Sequence, residues 1–388
     1  MTAWDVAVIG GGIAGSAAAA LLAQGGLQVI LLEKGAFPRH KVCGEFLSPD
    51  GGDLLERLGV WPQVQAVGPQ RVEVFALSAG GRETRRPLPR PGWGVSRWTL
   101  DALLWQHAQA KGVVAWDRST VVSVEGDFAQ GFSLAIRRSD HAAQLIRAHA
   151  ALWAAGRLRR PLRGAPAHPR RVWPRLVGLK AHFLGGQLDR CVALHTVPQG
   201  YCGVVGVEGG QLNLCCLTPA DALRRVGGTP DSYLAYVLRE SPSLRACLAG
   251  ATPIEPRWKA VSFTYGEQPT PVEGGMWMIG DSAGMIAPLT GDGMGMGLRA
   301  AELAATTLLA AFRGDLRRVG ATAEYARRWR QEFMPRLRWG RLLEAILLSP
   351  RLAALGCVAL QLAPALLGLV YHRTRGITRA AALEIPCG

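Results

Sequence analysis

The sequence lacks the residue patterns that several classes of protein require. Its eight cysteines form no CxxC pair and its eight histidines no cluster at metal-ligand spacing, so no metal site is predicted. Lysine is scarce, with five among the 44 basic residues. Because no basic run alternates with stacking aromatic residues, the net charge of +15 does not predict nucleic-acid binding. The absence of a repeat at fixed period excludes a solenoid.

The amino terminus has no basic segment followed by an apolar run, so no secretory peptide is predicted. A cytoplasmic location with mostly free thiols is therefore expected. The composition, 49% apolar and 19% charged, is that of a globular protein with a sizeable core.

One segment departs from this picture, since residues 352–371 contain no charge. Twenty such residues can span a bilayer. Gln361, Pro364 and many small residues instead favour a helix that docks on the protein or lies in a membrane interface. Peripheral membrane contact through residues 352–371 is thus one expectation, beside a helix docked on the protein and a membrane span.

The first thirty residues have the pattern of a βαβ unit. Residues 5–9 predict a buried parallel strand, residues 13–24 a helix that ends at Gly25, and residues 28–33 a second strand. The turn between the first strand and the helix reads GGGIAG. This is the context in which a glycine-rich turn predicts dinucleotide binding.

Each glycine of the GxGxxG turn has a steric role. Gly10 permits the tight turn, Gly12 allows a phosphate to approach the backbone, and Gly15 allows close packing of helix and strand. Glu33 ends the second strand, where a carboxylate can accept from both ribose hydroxyls. A carboxylate there disfavours a 2′-phosphate, which argues against NADP at this turn.

The rest of the chain alternates between strand and helix patterns. The polar segment 35–50 predicts a loop, and 97–112 a helix. Strands are expected at 71–77, 82–88, 113–116, 120–125, 131–137, 149–154 and 276–281, and strands with hairpins over 176–265 with one helix near 230–240. Residues 283–312 are glycine-rich and then helical, and the helical remainder is expected to break at Pro335, Pro350 and Pro364.

Several segments together resemble one family, which contains p-hydroxybenzoate-hydroxylase-type monooxygenases, flavin-dependent halogenases and geranylgeranyl reductases. They are the turn above, PRHKVCGE at 38–45, Arg97 with the helix at Leu100 and Asp101, GDSA at 280–283 and PLTGDGMG at 288–295. The resemblance spans roughly residues 5–312 and implies an FAD-dependent oxidoreductase.

The resemblance also implies a set of cofactor-binding residues. Asp281 would bind the ribitol, Arg97 would lie beside the flavin phosphates, and residues 291–295 would face the N1 and C2 carbonyl region of the flavin. The whole set is Gly10, Gly12, Ala14, Gly15, Glu33, Lys34, Arg39, Lys41, Cys43, Gly44, Arg97, Gly156, Gly280, Asp281, Pro288, Gly291, Gly293, Met294 and Gly295.

The chain departs from its relatives at three places. An acid often precedes the glycine that matches Gly156, but here the segment reads AAG. The reductase motif YxWxFP is replaced by YCGVVG at 201–206, so Tyr201 remains while glycines replace the tryptophan and the proline. The halogenase motif WxWxIP is absent, which argues against halogenation.

Two reactions stay open. The lost reductase motif and the glycines of the substrate lobe favour a monooxygenase that hydroxylates an apolar aromatic or polyketide-like substrate through a flavin C4a-hydroperoxide. The alternative is a reductase or dehydrogenase of an unsaturated isoprenoid or lipid-like substrate, with Cys43, Glu45 or Tyr201 as catalytic proton donor. A flavin-binding protein without enzymatic activity is a third hypothesis.

No second glycine-rich nucleotide motif is visible. The electrons that reduce the flavin would therefore come from NADPH or NADH bound transiently, or from a separate reductase or ferredoxin. The substrate is expected to be a small hydrophobic molecule.

The expected fold class is α/β, with a Rossmann-like FAD-binding domain of parallel strands and helices, an antiparallel-sheet substrate domain and a helical carboxy-terminal region. The FAD-binding domain comprises residues 1–67, 97–171 and 271–312. The substrate domain comprises an insertion at 68–96 and the sheet at 172–270, and the helical region is 313–388.

Overall fold

The computed structural model describes residues 3–138, 141–156, 175–254, 258–264 and 268–375. Its strands are β1 (Ala3–Ile9), β2 (Val29–Leu32), β3 (Phe46–Leu47), β4 (Gln70–Ala79), β5 (Arg82–Gly94), β6 (Val114–Trp116), β7 (Ser119–Asp127), β8 (Gly131–Arg138), β9 (His141–Trp153), β10 (Arg175–Leu184), β11 (Cys191–Val197), β12 (Gly200–Val207), β13 (Gln211–Pro219), β14 (Thr252–Pro253), β15 (Lys259–Thr264), β16 (Val272–Glu273) and β17 (Met276–Met278). Its helices are α1 (Ile13–Gln24), α2 (Pro49–Leu58), α3 (Trp61–Ala66), α4 (Arg97–Ala110), α5 (Ala220–Arg225), α6 (Pro230–Glu240), α7 (Pro242–Cys247), α8 (Gly293–Arg313), α9 (Arg318–Leu347), α10 (Pro350–Leu362) and α11 (Ala365–Thr374).

The first sheet contains the predicted βαβ unit. Its strands run parallel in the order β17-β9-β1-β2-β6, with β16 antiparallel at one edge and the β7–β8 hairpin joined to β9 through β8. Helix α1 packs against α4 and α8, and its alanines at 17–20 are buried. The small side chains allow α1 to pack closely against its neighbours. The parallel sheet with its helices confirms the α/β prediction.

The second sheet is antiparallel except where β4 pairs with β11 in parallel. Its order is β14-β10-β13-β12-β11-β4-β5-β3, with β15 also on β10. Side chains alternate between the two faces of a strand. In β10, Leu179, Ala181 and Phe183 are therefore buried in one apolar cluster with helices α6 and α7. Lys180 and His182 lie on the opposite face, which meets the first domain.

The prediction of a loop over 35–50 is wrong at its end. Phe46 and Leu47 form β3 against β5, and α2 begins at Pro49. Proline suits the first turn of a helix, and the Ser48 side chain accepts a hydrogen bond from Gly51 N at 3.4 Å. The Ser-Pro pair at 48–49 is a helix-capping signal in the sequence, and it determines the structure here despite the polar composition of segment 35–50.

The expected helix break at Pro335 is also wrong, because α9 continues through this residue. A proline inside a helix removes one backbone donor and crowds the preceding turn. Trp329, Phe333 and Leu337 are buried on both sides of it, so tertiary packing holds the helix together. Helices do end and begin at Pro350 and Pro364, as predicted.

The apolar segment 352–371 forms α10 and α11. Helix α10 docks on β4 and β5, where Cys357 Sγ donates to Leu77 O at 3.2 Å. Among the described residues, no individual helix is both long and apolar enough to cross a bilayer. Only Gly320–Leu347 and Pro350–Leu362 taken together reach that length, and they are bent by 108°. The predicted domain boundary between residues 171 and 172 lies outside the described residues.

Candidate functional site

Neighbouring atoms restrict the turn between β1 and α1 to glycine. Gly10 has a φ of +109°, and a Cβ there would lie 2.5 Å from Ala154 O. A Cβ on Gly15 would overlap Gly10 O, and one on Gly11 would lie 2.5 Å from the Trp105 ring. At these three positions the turn is therefore packed between β9 and α4 with no space for side chains.

Two cationic side chains converge on Gly12. A Cβ on this glycine would lie 3.1 Å from Lys41 Nζ and 3.8 Å from a guanidinium nitrogen of Arg97. Burial, followed by the charge of Arg97, lowers the pKa of Lys41 to about 8. An anion between the two cations would relieve this repulsion, and the amino terminus of α1 also favours negative charge. The site therefore suits a phosphate group.

Arg97 is held in place by the carboxylate of Asp101. Its Nε and one terminal nitrogen donate to the two carboxylate oxygens at 2.7 and 2.9 Å. Burial opposes the charge of Arg97, but the Asp101 carboxylate more than offsets it and raises the pKa of the guanidinium. The cation stays charged and oriented, as a phosphate contact requires.

Glu33 lies at the end of β2, as predicted. Its Oε2 accepts from Gly11 N at 2.8 Å and from Arg39 at 2.9 Å, and its Oε1 accepts from Gly35 N at 2.9 Å. The carboxylate is buried, so these bonds fix its position against the turn. Glu33 and Arg39 are thereby brought to the phosphate site.

The segment around Cys43 and Glu45 joins this site to the second sheet. Glu45 has a φ of +57°, and its amide donates to Cys43 Sγ at 3.4 Å. The Cys43 carbonyl accepts from Asn213 Nδ2 at 3.1 Å. Asn213 lies in β13, so this hydrogen bond connects the second sheet to the segment that carries Cys43.

Glu45 is the centre of a buried charged cluster. Its Oε1 accepts from Lys180 Nζ and, at 2.6 Å, from Arg97 N, and its Oε2 lies 2.6 Å from His182 Nε2. Burial alone would raise the pKa of Glu45. The hydrogen bond from His182 and the charge of Lys180 outweigh burial and lower it. Glu45 is thus a carboxylate, suited to stabilise a positive charge on Lys180 or His182 instead of donating a proton.

An open position lies beside this cluster on the same sheet face. The strand register places Lys180 opposite Cys215, and Cys215 opposite Gly203. Directly opposed residues share a face, and neighbouring strands are about 4.8 Å apart. A Cβ on Gly203 would meet no described atom closer than Cys215 O at 3.9 Å. The glycine that replaces the reductase tryptophan therefore leaves open space here.

The second glycine-rich segment packs against the turn and against β3. A Cβ on Gly280, which has a φ of +65°, would lie 3.2 Å from Ala14 Cβ, and Asp281 next to it is exposed. A Cβ on Gly291 would lie 3.1 Å from the Phe46 ring. The three segments that the sequence assigns to one cofactor thus meet in the folded chain.

A buried hydrogen bond fixes the start of α8. Ser48 Oγ donates to Asp292 Oδ1 at 2.8 Å, and burial raises the pKa of Asp292. A Cβ on Gly295 would lie 2.6 Å from Ser48 Oγ, so this position also requires glycine. Gly293 has no atom within 4 Å of its would-be Cβ, and Met294 is buried.

Other predicted residues have separate surroundings. Gly156 O accepts from Ser282 Oγ at 2.8 Å, which gives this turn a partner without the acid that relatives carry. Pro288 is exposed and begins a short 3-10 turn. Gly44 has no atom within 4 Å of its would-be Cβ. Tyr201 is buried in an apolar cluster with Leu217.

Lys34 does not join the turn. It is exposed and lines a surface cleft of about 470 Å³ with Arg118, Thr120, Arg137 and Arg138. Lys34 follows the end of β2 and lies in a bend, which places its side chain at the surface.

The sequence motifs did not predict the contacts made by Lys180, His182, Ser48 and Asp292. A signal for the first two exists in VGLKAHF, where the only polar side chains of an apolar strand stand two residues apart. Such spacing places both on one face. No comparable signal links Ser48 to Asp292, which are 244 residues apart.

Comparisons with known proteins agree with this geometry. The FAD binding domain family matches residues 3–149. The chain is 28% identical to a menaquinone reductase of Mycolicibacterium smegmatis over 84% of this chain and 79% of that protein. It is 25% identical to a tryptophan 2-halogenase of Chondromyces crocatus over 86% of this chain and 66% of that protein.

The same fold occurs in the flavin-dependent brominase Bmp2. The two structures align with a TM-score of 0.78 at 19% identity, over 95% of this chain and 94% of the brominase. Together, the domain match over residues 3–149, the glycine turn and the convergent segments identify the chain as an FAD-binding flavoprotein. It is similar in sequence to a menaquinone reductase and a tryptophan 2-halogenase, and in fold to a flavin-dependent brominase.

Proposed function

We propose that the chain is a monooxygenase that hydroxylates an apolar aromatic or polyketide-like substrate. The observation that carries this proposal is the open space at Gly203, in one cross-strand row with Lys180 of the Glu45 cluster. A planar aromatic substrate needs room at the sheet. A hydroxyl on its ring also needs a buried group that can accept its proton.

The surroundings of Gly203 are apolar. Tyr201 is two residues away on the same face, and it shares a buried cluster with Leu217 and the half-buried Leu289. Phe46 packs in a cluster with Val205, which is two residues beyond Gly203. An apolar substrate would displace water from such a space and gain free energy by burial.

The residues of this site fit FAD. The turn at Gly10–Gly15, with Lys41 and Arg97, would hold the pyrophosphate, Asp281 the ribitol, and the amides at the start of α8 the flavin ring edge. FAD supplies the electron transfer and, in a monooxygenase, the activation of oxygen.

The chain's own part in the reaction is to position the substrate and handle a proton. The Glu45 carboxylate is anchored by Lys180 and held at 2.6 Å from His182 Nε2. A proton taken from an aromatic hydroxyl could be held on His182, with Glu45 stabilising the imidazolium. Removal of that proton makes the ring richer in electrons, which favours hydroxylation.

The test measures oxygen incorporation. FAD-loaded protein is supplied with NADPH, NADH or a reductase–ferredoxin system and a panel of phenolic lipids and polyketide-like aromatics. We expect a product that is 16 mass units heavier than the substrate in ordinary oxygen and 18 mass units heavier in ¹⁸O₂. Turnover that continues without oxygen and consumes a double bond would contradict the proposal.

The Gly203→Trp variant sharpens the test. An indole at this position would fill the space, so we expect at least a tenfold loss of kcat/KM with FAD binding retained. Gly203→Ala is the matched control, because its methyl would make an ordinary contact of 3.9 Å and leave most of the space. Equal activity of Gly203→Trp and wild type would remove this position from the substrate site.

Reduction of an unsaturated lipid-like substrate is the second candidate function. Cys43 lies beside the Arg97 guanidinium in the segment that resembles the reductase-like branch, and a menaquinone reductase is among the relatives. Anaerobic consumption of a polyprenyl double bond, lost in Cys43→Ser, would favour it. Halogenation is not proposed, because the chain lacks WxWxIP and the likeness to the brominase at 19% identity concerns the fold alone.

A further inference from the structure

Helices α10 and α11 present large apolar side chains to solvent. The exposed fractions are 46% for Leu352, 63% for Leu355, 81% for Leu362, 37% for Leu366 and 45% for Leu369. We call these five residues the leucine face. A cluster of exposed leucines on adjoining helices is a mark of an interaction surface, unlike a single exposed leucine.

The leucine face is left over after the helices have docked on the protein. Leu352, Leu355 and Leu362 recur at the spacing of one helix face. Ala353 and Cys357 on the other face are fully buried against the second sheet. Packing in the core therefore does not explain why leucine occupies these exposed positions.

Hydrogen bonds hold the surface in a defined position. Arg86 Nε donates to Leu360 O and a terminal nitrogen to Gln361 O, both at 2.9 Å. Gln361 Nε2 in turn donates to Glu83 O at 3.1 Å. The end of α10 is thus fixed to the β4–β5 hairpin, and the leucines point outward from a rigid support.

The charged side chains of the segment that carries the leucine face have one sign. No acidic residue occurs from 345 to 375, while Arg351, His372 and Arg373 are exposed at the ends of the two helices. The whole chain carries a net charge of +15. Apolar side chains flanked by cations match the interface of a bilayer that contains anionic lipids.

We propose that the leucine face binds the surface of an anionic lipid bilayer. The leucines would enter the boundary between headgroups and acyl chains, and Arg351 and Arg373 would contact lipid phosphates. The helices would lie along the membrane plane, since neither is long enough to span it.

The other side of these helices forms part of the candidate site. Arg375, at the end of α11, donates to Thr290 O at 3.0 Å, and its guanidinium lies 4.4 Å from the Tyr371 ring and 5.9 Å from the Phe46 ring. Leu347 and Leu348 at the bend before α10 pack in the cluster that contains Tyr201. If the proposed function holds, on which this step rests, an apolar substrate passes from the bilayer to the flavin along this wall.

Vesicle flotation of the FAD-loaded protein tests the membrane proposal. We expect wild type to float with vesicles of 70% phosphatidylcholine and 30% phosphatidylglycerol, and much less with phosphatidylcholine alone. Leu355→Gln combined with Leu362→Gln and Leu369→Gln should reduce the bound fraction at least tenfold. Arg351→Gln with Arg373→Gln should remove most of the preference for anionic lipid.

The matched control replaces exposed leucines elsewhere, Leu145→Gln with Leu184→Gln, which are 48% and 49% exposed. This variant should float like wild type. Equal flotation of the triple variant would overturn the proposal, as would a wild-type dimer in solution that the triple variant converts to monomer. Flotation requires no turnover, so its result is independent of whether hydroxylation is found.

Discussion

The glycine turn at the start of α1 and the Glu45 cluster lie side by side in the fold and are built in opposite ways. The turn works through missing side chains at consecutive positions, where Gly10 and Gly15 face backbone atoms. The cluster works through charged side chains that come from segments more than 130 residues apart. The turn is therefore encoded by neighbouring residues in the sequence, whereas the Glu45 cluster forms only in the tertiary fold. The difference predicts distinct responses to mutation.

The largest effect is expected at the turn. Gly12→Val would place a branched side chain against Lys41 and Arg97, where the phosphates belong, so we expect no detectable FAD binding by absorbance or calorimetry. Gly320→Val, whose glycine has no atom within 4 Å of its would-be Cβ, is the control and should bind FAD normally. Full FAD occupancy in Gly12→Val would refute the placement of the cofactor.

Glu45→Ala should mainly destabilise the fold. It leaves Lys180 buried without its partner, and removal of one member of a buried ion pair costs about 3–5 kcal/mol. We expect a large fall of Tm in thermal unfolding, and a smaller fall in Glu45→Gln, which keeps the shape. Glu73→Ala, which removes an exposed carboxylate paired with Arg71, should leave Tm close to that of wild type. An unchanged Tm in Glu45→Ala would show that the cluster adds no stability.

Asp281→Ala should weaken FAD binding without unfolding the protein. A ribitol hydroxyl that loses its acceptor costs about 1–3 kcal/mol, which corresponds to about a 5- to 150-fold rise in Kd. The comparison is Asp315→Ala, another exposed carboxylate, for which Kd should not change. If both variants bind equally well, Asp281 does not contact the cofactor.

The smallest effect is a pH dependence of FAD affinity. The pKa of Lys41 is lowered to about 8 in the protein without ligand, and a bound pyrophosphate would raise it. Binding then takes up a proton above pH 8, so affinity should fall as pH rises, by at most about tenfold per pH unit. Titrations from pH 7 to 9.5 measure this slope. Lys41→Met should bind more weakly and lose the slope between pH 8 and 9.5, whereas an equal slope in both proteins would assign it to another group.

The sequence predicted the parts of the molecule that depend on neighbouring residues. The βαβ unit, the glycine turn, Glu33 and the strands of the second sheet follow from periodicity and from glycine sterics. The motif at 38–45 predicts Glu45 as a candidate catalytic residue, but its partners depend on the register of β10. The continuation of α9 through Pro335 depends on burial of Trp329 and Phe333, which a local rule about proline does not contain.

Trp105 lies in van der Waals reach of the turn, because a Cβ on Gly11 would touch its ring at 2.5 Å. Flavins absorb in the wavelength range where indoles emit, so energy transfer quenches a tryptophan near a bound flavin. The chain carries twelve tryptophans, and this one is built into the floor of the phosphate site. The protein thus contains an intrinsic fluorescent reporter of its own cofactor occupancy, readable without any label.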